Sequence, residues 1–319
     1  MSTLDLGNLG QFDSLFIAPH DDDVPLSCPA RVRAEADRGR RVLVLALFAP
    51  VGSDGKAAEA AARLGAAYEG GGLPPAPERR PGPAASSTSA GRAPEDEDAV
   101  IAAARLLAQV GSRTQAVHIH GPLGLGASID HRLAYEASVR AFATGAGRNL
   151  FLYEERPEAF VPGAVRVRLA FLAARLPPAG ADSAPRAGLW RMLWRVNEPR
   201  RLRGERGGLR SRLAALFAAR RRWRAARAWK PLRALGPRLQ PIVCAADEEA
   251  RSLGCEISEL LLPADRKGRR RRARRFNARA DKAASALGGV YHAERLWLFL
   301  PSGGEGLPEV HHPLDQGAG

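Results

Sequence analysis

Cysteine is scarce in this sequence. Cys28, Cys244 and Cys255 are too few and too scattered to form a disulfide framework, which fits a reducing compartment. Aromatic residues make up only 6% of the chain, so leucine, valine and alanine must supply much of any core. Methionine and lysine are rare, while alanine, arginine, glycine and proline abound. With that bias, Ala or Arg alone carries little information. No run approaches the ~18 uncharged apolar residues of a spanning helix, so any membrane contact is expected to be peripheral. Met1 to Gln11 has neither the basic start nor the apolar stretch of a secretory signal. A cytoplasmic protein is the expectation.

The 319 residues suffice for one sizeable α/β domain with an appendage, and 45% hydrophobic content is ordinary for a globular chain. The net charge of +14 is unevenly spread. Residues 1–160 carry 16 basic and 20 acidic side chains, a net of −4, against 32 and 14 in residues 161–319, a net of +18. The basic half suggests an anionic partner, with a solvated arginine-rich surface as the plainer reading.

The apolar run Ser14 to Ala18 reads as a buried strand, and Pro29 to Arg40 as a helix that Gly39 stops. Arg41 to Phe48 has almost no polar alternation, as in a parallel strand covered on both faces. Ala57 to Ala67 reads as a second helix, completing a βαβ pattern. Gly70 to Pro94, rich in Gly, Pro and Ser, reads as a surface loop. A helix over Ala99 to Val110 follows, with the acidic Glu95 to Asp98 at its start. Gln115 to His120 reads as a third strand, a loop then leads through Asp130 and His131 to a helix over Arg132 to Phe142, and Asn149 to Glu154 is a fourth strand.

This order predicts an α/β fold: a doubly wound, mostly parallel sheet with helices on both faces, over residues 1–160. Residues 161–319 are expected to form a basic, largely helical extension, with a helical insertion at about 189–240 and a late strand or docking segment at about 290–300. Ligands of open α/β sheets bind beyond the carboxyl ends of the strands. His20, Asp21, Asp22 and Asp23 follow the first strand directly, and Ser128 to His131 lie in the loop after the third. Both clusters would open on one rim.

A catalytic zinc site uses three His, Asp or Glu ligands and leaves a position for water, and His20, Asp23 and His131 supply such a set. Asp22 is a further carboxylate that could move the water's proton. A solvated acidic turn capping the next helix is the alternative reading, and calcium or magnesium on the aspartates is another, although His20 favours a softer metal. His118 and His120 are read as structural residues on opposite strand faces, and Cys28 as a packed side chain. The Gly121 to Gly126 loop lacks the lysine of a phosphate-binding loop and the pattern of a dinucleotide fold, which excludes nucleotide binding there.

The segment Ile17-Ala18-Pro19-His20-Asp21-Asp22-Asp23-Val24-Pro25-Leu26-Ser27-Cys28 resembles the first motif of the PIG-L / LmbE-like deacetylases. Leu43 to Ala49 and Glu59 to Gly65 look like the family's second strand and its following helix. Ser128-Ile129-Asp130-His131-Arg132 is similar to its second metal motif, Tyr153-Glu154-Glu155-Arg156-Pro157 to a later segment, and Glu294-Arg295-Leu296-Trp297 to a late element. The resemblance spans about residues 13–157. It implies a Rossmann-like fold and a zinc-dependent hydrolase, with other divalent transition metals as alternatives. The implied substrate is an N-acyl, typically N-acetyl, amino sugar or glycoconjugate.

Carried over by position, His20, Asp23 and His131 become metal ligands, Asp22 the general base and then acid, and Asp130 the residue that orients its neighbouring histidine. Ser128 stands where many members have a histidine that steadies the oxyanion; a serine offers one hydrogen bond and no charge, so Arg132 or a residue from the C-terminal half is expected to compensate. The substitution at Ser128 also motivates a second reading, a catalytically degenerate protein that binds an anionic glycan or membrane. Arg195 to Arg238, where Trp223 and Trp229 sit among arginines, is the expected membrane contact, with nucleic acid ranked last.

Overall fold

The computed structural model describes residues 9–52, 55–80, 93–125, 128–142, 148–156, 158–160, 165, 168, 239–244 and 294–299. Seven strands form one sheet. In chain order they are β1 (Ser14–Ala18), β2 (Val42–Ala46), β3 (Ala66–Gly70), β4 (His118–Pro122), β5 (Asn149–Tyr153), β6 (Leu239–Cys244) and β7 (Glu294–Phe299). The helices are α1 (Asp23–Ser27), α2 (Pro29–Asp37), α3 (Gly55–Arg63), α4 (Ala76–Arg79), α5 (Pro94–Thr114) and α6 (Ile129–Phe142), followed by a 3₁₀ turn over Glu158–Phe160.

The sheet order is β3-β2-β1-β4-β5-β7-β6. The first five strands are parallel, while β7 runs antiparallel between β5 and β6. The expected doubly wound α/β fold is therefore present. Strands β1 and β2 are buried along their whole length, which explains their unbroken apolar sequences. Their side chains alternate between two cores. Leu15, Ile17, Leu43 and Leu45 pack toward α5 and α6 with Val100, Leu107 and Leu133. Phe16, Val42 and Val44 pack toward α2 and α3 with Val32, Ala60 and Leu64. Burying each Leu or Val side chain contributes roughly 1.5–3 kcal/mol, and this two-sided burial fixes the edge from which the site projects.

Several boundaries differ from the sequence reading. The helix expected to reach Ala67 ends at Arg63, and Gly65 at φ 77° turns the chain into β3. Among the described residues strand β3 pairs with β2 alone and is half open to solvent, so it lacks the continuous apolar run that marks a central strand. Within the stretch expected to be loop, Ala76–Arg79 is helical. Asp130 and His131 lie in the first turn of α6 rather than in the loop before it. His118 and His120, two apart in β4, share one face instead of opposing each other, because strand side chains repeat every second residue. The His120 ring stacks between Phe16 and Phe151, with centroids at 4.1 and 5.1 Å.

The expected late strand is β7; β6 had no counterpart in the sequence reading. Residues 189–238 of the expected helical insertion lie outside the described residues, as does the expected membrane contact, while the insertion's last two positions, Leu239 and Gln240, are in strand β6 rather than helix. Among the described residues no helix is long and apolar enough to cross a membrane.

Candidate metal centre

The chain leaves β1 toward β2 on one side of the sheet and reaches β4 on the other, so the order reverses between β1 and β4. In open α/β sheets the loops beyond the two strands part at such a reversal, where ligands bind. His20 follows β1, Asp23 begins α1 and His131 lies in the first turn of α6. Among the described residues, these three form the one cluster in which His, Cys, Asp or Glu ligand atoms all lie within 4.8 Å of one another.

The spacing suits an ion. Ligand atoms about 2.0–2.2 Å from a tetrahedral centre lie about 3.3–3.6 Å apart. Here His20 Nδ1 is 3.2 Å from Asp23 Oδ2, and His131 Nε2 is 3.5 Å from Asp23 Oδ1. Asp23 is fully buried, His131 nearly so, and the His20 side chain is 30% exposed, so the site opens on the His20 side.

Electrostatics point the same way. Burial works against charge on His20, but its hydrogen bonds to Asp130 and Asp23 outweigh this and hold the ring's pKa up to about 10. Burial also opposes charge on His131, and Asp23, Glu155 and Glu158 raise it to about 9. Asp23, Asp130, Glu155 and Glu158 concentrate carboxylates around the two histidines, a charge that a divalent cation can neutralise. The donor set therefore fits a metal on its own chemistry.

Both histidines have carboxylates behind them. Asp130 Oδ2 lies 3.1 Å from His20 Nε2 and also accepts the Ala76 N–H at 3.0 Å. Asp130 thus supports His20, correcting the expectation that it orients its sequence neighbour His131. Helical geometry explains the change: adjacent residues on α6 point about 100° apart. Glu155 backs His131 instead, with Oε1 at 3.6 Å from Nδ1. The same oxygen accepts the N–H groups of Gly124 and Leu125 at 2.8 and 2.9 Å. Gly124 has φ 76°, and a Cβ there would come within 2.6 Å of the Arg168 guanidinium, so this loop needs glycine to present both donors. Carboxylates behind ligating histidines fix ring orientation and raise basicity.

The remaining expected residues adjoin the cluster in the chain. Asp22 is half-buried at the start of α1, where its side chain makes no capping hydrogen bond. Ser128 immediately precedes α6 and Arg132 lies in its first turn, both half-buried. Asp21 accepts a hydrogen bond from the Tyr68 hydroxyl of β3, tying the loop after β1 to the sheet edge. Cys28 is buried in the core, as expected. The sequence reading assigned no role to Glu155, Tyr68 or Arg79. Glu155 was at least visible within the fourth motif, whereas Arg79 adjoins a Pro- and Gly-rich stretch with no distinguishing signal.

No family model matches this chain, and no curated protein does. Solved structures do match. Teicoplanin deacetylase Orf2, in a zinc-inhibited form, is 18% identical over 91% of this chain and 98% of its own, with a TM-score of 0.54. A teicoplanin-bound deacetylase is 16% identical over 91% and 98%, with a TM-score of 0.53. The A40926 pseudoaglycone deacetylase Dbv21 is 17% identical over 92% and 100%, with a TM-score of 0.51. What this chain shares with these deacetylases is the α/β fold.

Proposed function

We propose that this protein is a metal-dependent N-deacylase that removes an N-acyl group, foremost N-acetyl, from an amino sugar or glycoconjugate. One observation carries the reading: His20, Asp23 and His131 converge within 4.8 Å at the strand-order reversal. The structural neighbours, one of them bound to teicoplanin, support a glycoconjugate substrate.

His20, Asp23 and His131 would hold the ion, with zinc as the leading metal. A divalent metal in such a site lowers the pKa of water and polarises a carbonyl oxygen. Asp22 accepts the attacking water's proton as the new C–O bond forms at the amide carbon. Ser128 donates a hydrogen bond to the oxyanion and Arg132 contributes positive charge. Asp22 then returns the proton to the nitrogen, the C–N bond breaks, and an amine and a carboxylic acid result, the acid's proton passing to the amine so that an ammonium and a carboxylate leave. Asp130 and Glu155 keep His20 and His131 oriented throughout.

The test is acetate release from a panel of N-acetyl amino sugars and acylated glycopeptides, with metal-stripped protein reconstituted separately with zinc, cobalt and manganese. Because Orf2 has a zinc-inhibited form, the panel scores each metal at several concentrations. Release with at least one metal and none after chelation is expected. Metal uptake without amide hydrolysis on any substrate would overturn the enzymatic reading and favour the glycan- or membrane-binding alternative.

A further inference from the structure

We propose that Arg79 is a positioning residue of this centre, acting through Asp130 on His20. The inference rests on the metal-dependent reading and extends it to a residue outside the ligand set. Arg79 ends α4, and its side chain is only 4% exposed. The guanidinium lies over the Phe48 ring, 5.0 Å from its centroid. One terminal nitrogen donates to the Pro74 carbonyl at 2.6 Å. The other donates to Asp130 Oδ1 at 2.7 Å and lies 3.4 Å from Asp96 Oδ1.

Asp130 is thus held at both oxygens. Arg79 takes Oδ1, and the Ala76 N–H of the same short helix takes Oδ2. With rotation of the carboxylate blocked, Oδ2 faces His20 Nε2 from a fixed direction. Nε2 donates there, which leaves Nδ1, the atom beside Asp23, to ligate. Without Arg79, Asp130 keeps one anchor, and both the carboxylate and the ring behind it gain freedom.

Arginine suits this position better than lysine. Its planar, permanently charged fork can address Pro74, Asp130 and Asp96 at once, where an ammonium is a single point charge. Asp96 meets the same terminal nitrogen as Asp130, and is itself fixed by the Ala93 N–H at 2.9 Å and by Arg80. The buried aspartates and arginines balance in charge, so the cluster tolerates burial.

The test uses full-length Arg79→Gln and Arg79→Lys, with Glu35→Gln as a variant that loses a buried ion cluster on the other face of the sheet. Zinc affinity of metal-stripped protein is measured by competition with a chelator. The downfield N–H proton resonance of His20, identified by its absence in His20→Asn, is recorded on metal-free protein. Arg79→Gln is expected to weaken zinc binding by about 10- to 100-fold, as loss of a ligand's supporting partner does, and to shift or erase the resonance. Arg79→Lys should fall between, and Glu35→Gln should bind as wild type despite lower stability. Wild-type affinity and an unchanged resonance in Arg79→Gln would overturn the proposal. If Arg79→Gln fails to fold, Arg79→Lys decides by the same two readouts. A wild-type protein that binds no metal would sink the metal-centre reading, and the resonance alone would then decide the role of Arg79.

Discussion

Glu155 separates structural from functional support because its Oε1 does two things. It accepts the backbone N–H groups of Gly124 and Leu125, and it faces His131 Nδ1 at 3.6 Å. Glu155→Ala removes the acceptor and leaves two buried donors unpaired. At about 1–3 kcal/mol for each, the variant should lose roughly 2–6 kcal/mol, a large share of the ~5–15 kcal/mol that holds a typical domain. Glu155→Gln keeps a carbonyl oxygen that can accept both N–H groups, so its stability should stay within about 1 kcal/mol of wild type. It removes the negative charge behind His131, however, and metal affinity should fall by about 10-fold or more. Urea denaturation of the metal-free proteins measures the first effect, and chelator competition the second. If Glu155→Ala matches wild type in urea, the two short backbone contacts do not matter as argued. If Glu155→Gln binds metal undiminished, Glu155 is a loop anchor alone.

Further outcomes follow from other contacts. Asp22→Asn should retain metal while amide hydrolysis falls by about 10²–10⁴-fold; retained turnover would remove Asp22 as the base. Ser128→His should raise turnover, since a histidine can bring a charged donor to the oxyanion, and acetate release under saturating metal reads the gain. Burial opposes ionisation of Glu35, but Arg31, His120, Ser14 and Arg40 more than offset it and hold its pKa down to about 2 against an ordinary 4.5. That stabilisation of about 3 kcal/mol is present above pH 4.5 and drains away as pH falls toward 2; Glu35→Gln should flatten this part of the urea-stability profile. Neither His120 ring nitrogen has a hydrogen-bond partner, so His120→Phe should raise stability by about 1 kcal/mol, seen as a higher urea midpoint.

The fold was legible wherever burial was two-sided. Strands β1 and β2 are buried on both faces, so apolar runs in the sequence mark them almost to the residue. Strand β3, at an edge with only half of its surface covered, carries the mixed sequence AAYEG, which reads as a helix end at Ala66 and Ala67 and as the start of a loop at Gly70. The three proposed ligands were legible because a His/Asp pair following one strand and an Asp/His pair following another fall on the same rim in any doubly wound sheet. Their supports were less so. That Asp130 meets His20 depends on how the first turn of α6 is rotated, and Arg79 arrives from a four-residue helix in a segment whose composition suggests only loop. Long-range hydrogen bonds between such segments leave no periodic trace in the chain.

The most direct test of the central claim is metal stoichiometry and acetate release measured on the same preparations of wild type, Asp22→Asn and a triple His20→Ala, Asp23→Ala, His131→Ala variant. The account predicts one tightly bound divalent ion per chain in the first two and none in the third, with acetate released by wild type alone. A triple variant that still binds the ion, or still releases acetate, would contradict it.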